Sequence, residues 1–405
     1  MGGDQRGFIW KRRKRELSLR PLILWEEDNI VIMKETINII GAGPASLTAA
    51  IVLRKHGFPV KVFEMSPEVG HRLSGDFQGL ENWSSERDIT ELLKDIGIEI
   101  NFLCVPYYGG TVYAPETKPA EMKSNRPIFY LVRRGPMPGT IDSGLKEQAL
   151  SLGVEILFNH RLDTFDGKAI VGTGPKGGDA IAVGITFETA MEDKSVVVFD
   201  DSIAPKGYAY LLVNQGLGTM VTVLYREYRR GDECFEKMNR FFNDNMVLDV
   251  KNEKKFGGYV NYFLRDTQIH NNKLYVGESA GFQDGLWGFG MKYAILSGYL
   301  AAKSLVDGSD YDMLWKKDIR PMIETSLINR YLVEKAGHAG YRYLAKKFTS
   351  DNPCDFLRRH YNPSFFKHLL LPLAKRKYES RVKDKNCNHE NCSCIWCRCG
   401  EKVCP

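Results

Sequence analysis

The clearest chemical pattern is Gly41-Ala42-Gly43-Pro44-Ala45-Ser46. It follows an apolar, β-branched run at 36–40. It opens a segment, 44–56, in which Leu47, Ala50, Ile51 and Leu53 recur with helical spacing. A glycine at the first position permits a tight strand-to-helix turn, and one at the second lets the backbone approach a pyrophosphate closely. The free N–H groups and partial positive charge of the helix N-terminus then face the phosphates. Ser46 takes the third position and is small enough for close helix–strand packing. Glu64 ends a second strand-like run, 60–64, about 20 residues on, where a carboxylate accepts a hydrogen bond from a ribose hydroxyl and repels a 2′-phosphate. This unit is expected to bind a dinucleotide. Gly172-Thr173-Gly174-Pro175-Lys176-Gly177 has similar spacing, but residues 179–187 read as strand. Without a helix N-terminus it is not an independent dinucleotide site.

A distant segment has related chemistry. Gly277-Glu278-Ser279-Ala280-Gly281-Phe282 follows a strand-like run at 273–276, and Gly285, Gly288, Gly290 and Met291 come next. The helix expected over 291–305 carries Ala294, Ser297, Gly298, Ala301 and Ala302, a small-residue face that another backbone can approach. Glycines ahead of a helix again aim N–H groups at an anionic ligand.

The elements that must position these turns are legible around them. A β-α-β unit covers 36–64. A helix is expected over 85–95, strands over 98–103 and 128–132, a helix over 139–152 and a short strand over 169–171. From 180 to 228 the pattern is long and β-rich, which predicts a separate antiparallel sheet. Residues 311–380 read as mostly helical.

The 405-residue chain is ordinary for a globular protein, with 43% hydrophobic and 26% charged residues. Its formal charge of +6 is carried by its ends. Residues 1–20 hold seven Lys/Arg against two acids, and residues 374–405 eight against four. The body is therefore acidic, which argues against nucleic-acid binding. No apolar run approaches the roughly 20 residues of a membrane span, and no signal peptide is evident. A cytoplasmic protein is expected, with peripheral contact at the inner face of a membrane left open. The segment 365–371, followed by Lys375, Arg376 and Lys377, could lie on a lipid surface; the bland alternative is a packed helix with a basic end. Met33 resembles a natural start, so residues 1–32 read as an upstream extension.

With these residues in view, the chain resembles the geranylgeranyl reductase family of FAD-dependent oxidoreductases, related to hydroxylases of the p-hydroxybenzoate hydroxylase type. The resemblance runs over residues 36–304. It is carried by 41–46, by Tyr130-Leu131-Val132-Arg133-Arg134 with Ile141, Asp142 and Leu145, by Gly172-Thr173-Gly174-Pro175, and most specifically by 277–298. It implies an α/β fold: a Rossmann-type FAD-binding domain (35–100, 134–179 and 266–310), an interleaved antiparallel-sheet substrate domain (101–133 and 180–265) and a helical C-terminal region (311–385). A 1–34 extension and a 386–405 tail flank these.

The resemblance also implies cofactor contacts. Gly41, Gly43, Pro44, Ala45, Ser46 and Glu64 would bind the nucleotide. Arg134 would lie near the diphosphate or ribityl chain, and Arg72 would be a basic group beside the cofactor. Glu278 stands where the family usually has an Asp that binds a ribityl hydroxyl. Gly277 and Gly281 flank it, and Gly288, Gly290 and Met291 would border the flavin pyrimidine edge. Asp142 reads as an aid to helix start. Where the family often carries Tyr-x-Trp-x-Phe-Pro, this chain has Tyr208-Ala209-Tyr210-Leu211-Leu212-Val213. Tyr208, Tyr210 and Leu212 are the candidates for lining the substrate pocket.

The implied activity is hydride transfer from reduced flavin to a carbon–carbon double bond of an isoprenoid or other apolar lipid. The electron donor, NAD(P)H or a ferredoxin as redox partner protein, stays open. So do two other functions: a flavin monooxygenase or dehydrogenase on an aromatic or polyketide-like substrate, and a non-enzymatic prenyl-lipid-binding protein on the same fold. No catalytic residue is assigned. Of nine cysteines, six crowd the tail as Cys387, Cys392, Cys394, Cys397, Cys399 and Cys404. They fit no standard zinc or ferredoxin spacing; Zn, an iron–sulfur cluster, a redox pair and an inert tail remain alternatives.

Overall fold

The computed structural model describes residues 22–23 and 32–379, apart from 163–164, 176–177 and 263. The cysteine-rich tail and nearly all of the proposed extension lie outside the described residues. In chain order the elements are β1 (Ile37–Ile40), α1 (Pro44–Lys55), β2 (Val60–Phe63), β3 (Phe77–Glu81), α2 (Ile89–Asp95), β4 (Cys104–Tyr107), β5 (Gly109–Tyr113), β6 (Ala120–Lys123), β7 (Phe129–Arg133), α3 (Ile141–Ser151), β8 (Glu155–Leu157), β9 (Ala169–Val171) and β10 (Ala180–Glu188). They continue as β11 (Lys194–Val198), β12 (Tyr208–Asn214), β13 (Leu217–Leu224), α4 (Gly231–Asn245), β14 (Lys251–Val260), β15 (Ile269–His270), β16 (Lys273–Tyr275), α5 (Met291–Asp307), α6 (Tyr311–Asp318), α7 (Arg320–Ala336), α8 (His338–Ser350), α9 (Pro353–Tyr361) and α10 (Phe365–Glu379).

Three sheets organise the site. The first has the order β8-β2-β1-β9-β16-β15 and is parallel except at β15. Helix α1 covers it and buries every residue from Ala45 to Leu53, so it is sandwiched rather than amphipathic. The second sheet, β14-β10-β13-β12-β11-β5-β6, is antiparallel except between β11 and β5. Helix α4 seals its back. Phe235, Met238 and Phe242 pack there on Ala209, Leu211 and Val213, the odd-numbered face of β12. Strand alternation therefore turns Tyr208, Tyr210 and Leu212 to the opposite face. A small antiparallel sheet, β3-β7-β4, lies against that face, with Phe77, Tyr107 and Leu131 packed on Leu212.

The fold is the expected mixed α/β one with a helical C-terminal region, and two local expectations are corrected. The run 98–103 is not a strand. Its first amides close α2, with Ile98 N–H donating to the Leu93 carbonyl at 2.8 Å. The Gln148 side chain then takes both backbone groups of Glu99, at 2.9 and 2.8 Å. No ladder position remains until β4. Helix α2 starts at Ile89, not 85, because Asp88 caps it by accepting from Thr90 N–H at 2.9 Å.

Candidate functional site

The turn from β1 to α1 is built by close backbone contact. Gly41 has φ +92°, and a Cβ there would lie 2.5 Å from the Gly172 carbonyl oxygen. Ser46 faces Gly172 from α1, which leaves no room for a side chain on that glycine. The second glycine pattern is thus the packing partner of the first. Its downstream residues form strand β10, as expected. Ser46 is fully buried and its hydroxyl has no hydrogen-bond partner among the described residues. A Cβ on Gly43 would meet nothing nearer than Gly172 O at 4.0 Å. Helix α1 has no side-chain cap and no acid in its first turn. The amide end of the helix is therefore open, as an anionic ligand requires. Glu64 braces the turn: one carboxylate oxygen accepts from Ala42 N–H at 2.7 Å, the other from Ser66 N–H at 2.8 Å. Each oxygen retains a lone pair for a hydroxyl donor.

The distant glycine segment joins this turn directly. Gly298 of α5 packs on the Ala45 backbone, where a Cβ would stand 2.9 Å from the carbonyl carbon. Gly277, at φ +58°, faces both Ala45 and Ala294. Its N–H donates to Ser297 Oγ at 2.9 Å. The small-residue face read from the sequence is thus the α1–α5 interface. Helix α5, entered through Gly290, also lacks a side-chain cap and any acid in its first turn.

Three expected charged residues share one electrostatic neighbourhood. Burial pushes the Glu278 carboxyl up to about 7, and the Arg72 and Arg134 guanidiniums pull the other way. Arg72 is exposed, whereas Arg134 is largely enclosed. Asp142 holds Arg134 in a fork, at 2.8 Å from Nε and 3.0 Å from Nη2, and Gln78 Oε1 accepts from Nη1 at 3.1 Å. Asp142 lies in the first turn of α3, as its reading as a helix-start residue expects, and the pairing with Arg134 is a second role. Thr140 caps α3, accepting from Ser143 N–H at 3.2 Å, and Asp142 is the buried partner of Arg134. With its fork committed, Arg134 acts on an anionic ligand mainly through its field.

The loop 281–290 is fixed from several sides. Gly285 N–H donates to Ser326 Oγ of α7 at 2.8 Å. Asp284, 1% exposed, accepts from Leu286 N–H at 2.9 Å, from Trp287 N–H at 2.5 Å and from the Tyr361 hydroxyl of α9 at 2.7 Å. Burial nonetheless raises its carboxyl to about 6. The Gln283 amide donates to the Gly288 carbonyl, and the Tyr208 hydroxyl to the Trp287 carbonyl. Lys292, in the first turn of α5, forms a buried ion pair with Glu81 at 3.2 Å and donates to Ser84 Oγ at 2.7 Å. Sequence reasoning missed Asp284, Tyr361, Glu81 and Lys292. The one legible signal was a cation at a helix N-terminus, where the dipole disfavours it.

The same loop completes an aromatic wall. The Tyr208 ring lies 6.1 Å from Tyr210 and 5.8 Å from Trp287. Phe289 stacks edge-on to Trp83 at 4.7 Å and sits 6.2 Å from Phe129. Burial holds the Tyr208 and Tyr210 phenols above their ordinary range, so both are neutral donors at physiological pH. The three pocket candidates thus share one face, directed at the Gly288 loop and at β3 and β7.

Residues 39–79 match the model of the NAD(P)-binding Rossmann-like domain. A geranylgeranyl bacteriochlorophyll reductase-like protein from Thermoplasma acidophilum superposes with a TM-score of 0.62 at 17% identity, over 85% of this chain and 99% of that one. The chain shares the fold of that protein. A flavoprotein/dehydrogenase from Cytophaga hutchinsonii shares this fold (TM-score 0.56, 16% identity, 85% and 100% covered). So does p-nitrophenol 4-monooxygenase from Pseudomonas putida (0.56, 13% identity, 81% and 99% covered). By sequence, the beta subunit of an NADP(+)-dependent formate dehydrogenase from Moorella thermoacetica is 38% identical over 80 residues, 19% of this chain. That match spans 11% of the relative's length.

The residues suit a dinucleotide such as FAD on their own terms: two open helix N-termini, a glycine a side chain would not crowd, and an acid directly after β2. Among the described residues no cluster of His, Cys, Asp or Glu could hold a metal ion. The six cysteine candidates lie outside them. No helix among the described residues is long and apolar enough to cross a membrane.

Proposed function

We propose that this chain is an FAD-dependent oxidoreductase that saturates carbon–carbon double bonds of an isoprenoid or other apolar lipid. The observation that carries the reading is the packing of Gly277 and Gly298 on Ala45, which brings the second glycine segment and the middle of α5 against the first turn of α1. Gly41, Gly43 and the first amides of α1 would hold the diphosphate, Glu64 the adenosine ribose, and Glu278 the ribityl chain beside Arg72. Bound in its reduced form, FAD would supply a hydride to one carbon of the double bond, while the other carbon takes a proton. The Gly288–Gly290 turn and the α5 dipole favour negative charge at their amide end. Tyr208, Tyr210, Trp287 and Phe289 would exclude water and give an unsaturated chain an apolar, aromatic surface. The substrate side is then the sheet of β10–β14 with β5 and β6, and the cofactor side the parallel sheet.

The purified protein is expected to show flavin absorption, or to acquire it with added FAD. Chemically reduced and anaerobic, it should convert a geranylgeranyl lipid to products heavier by pairs of hydrogens. A colourless protein that takes up no FAD would remove the cofactor reading. A yellow protein that consumes oxygen with NADPH and leaves the lipid unsaturated would replace the reductase by a monooxygenase.

A further inference from the structure

Helix α10 has two unlike faces. The inner one is packed: Leu371 and Ala374 join Ile328 of α7, and Lys375 and Lys377 pair with Glu324 and Glu334 of α7. The outer one exposes Phe365 (75%), Leu369 (60%) and Leu373 (50%), at successive helical turns. Each removes apolar surface from water only if something else covers it. His368, Pro372 and Arg376 lie exposed among them. The helix holds four Lys/Arg and one acid. Over residues 365–385 the count is seven against two. The acids of α7 nearest to it are already neutralised, and Lys335 of α7 is exposed nearby in sequence to the exposed Leu332.

An exposed apolar stripe bordered by surplus positive charge is the pattern of a helix lying in the plane of an anionic bilayer.

We infer that the outer face of α10 docks this protein on an anionic lipid surface, with Phe365, Leu369 and Leu373 in the interface and Arg376 at the headgroups. The inference concerns the surface alone and holds whether or not the flavin reading does.

Flotation of the full chain with phosphatidylcholine vesicles containing phosphatidylglycerol tests it, against pure phosphatidylcholine and at low and high salt. Binding is expected to the anionic vesicles, weakened by salt. Phe365→Ser, Leu369→Ser and Leu373→Ser together should reduce partitioning by about 100-fold, each half-inserted side chain being worth roughly fivefold. Arg376→Gln should reduce it by about fivefold on anionic vesicles only. Circular dichroism and FAD binding should be unchanged in both variants, since all four side chains point outward. Failure of the unaltered chain to float with anionic vesicles would overturn the inference. So would retained binding in the triple-serine variant, or self-association of the chain that this variant abolishes without any effect of lipid.

Discussion

Gly298→Ala tests the contact on which the candidate site depends. The added Cβ would clash first with the Ala45 carbonyl oxygen, and would stand 2.9 Å from its carbonyl carbon and 3.2 Å from its Cα. Relief of the oxygen clash requires α1 and α5 to part by more than about 1 Å. These neighbours are all backbone, and none can rotate aside. A gap of that size forfeits about half or more of the local dispersion attraction, and overpacking of this kind typically costs about 1–3 kcal/mol. Alanine recovers about 1 kcal/mol of helix propensity. With a rigid partner the upper end applies, leaving a net loss of roughly 2 kcal/mol. Urea denaturation of the apoprotein measures it, and FAD titration should show weaker binding because the α1 N-terminus shifts against α5. If the variant is more stable by about the 1 kcal/mol that propensity alone supplies, with unaltered FAD affinity, the close-approach argument is wrong.

Four further outcomes are expected. Lys292→Met strands Glu81 in the core and should cost roughly 3–5 kcal/mol, most of it recovered when Glu81→Gln is added; equal stabilities of the single and double variants in urea would refute the pairing. Tyr361→Phe removes a donor to the Asp284 carboxylate and should cost about 1.5–3 kcal/mol at pH 8, and less at pH 5, where a carboxyl raised to about 6 is protonated. Ser46→Ala deletes a buried hydroxyl without a partner among the described residues, so melting should show it neutral or stabilising by up to about 1 kcal/mol. Glu278 is raised on folding from 4.5 to about 7. Its contribution to stability is therefore full below about pH 4.5 and is lost as pH rises through 7. Relative to the Glu278→Gln variant, the unaltered apoprotein should lose stability between about pH 5 and pH 8, and parallel pH profiles would refute the shift.

The sequence by itself determined the local machinery. The βαβ unit, the short strand β9, the strand after 179 and the helix from Met291 were legible because glycine turns, β-branched runs and helical periodicity act over a few residues. The small face of α5 was legible for the same reason, though not its partner. It also offered Glu64, Arg72, Arg134 and Glu278 as charges worth watching. What packs against what was decided only in three dimensions. Nothing at Gly172 says that Ser46 will press on it, and nothing at Gly298 says that Ala45 will. Asp142 was legible as a first-turn acid of α3, but not as the partner of Arg134, which folds back onto it. Strand 98–103 failed because side chains of α3, far along the chain, satisfy its backbone. The buried pairs Glu81–Lys292 and Asp284–Tyr361 join elements about 200 and 77 residues apart. A buried charge needs a partner at bonding distance, and only the tertiary fold determines which residue stands there.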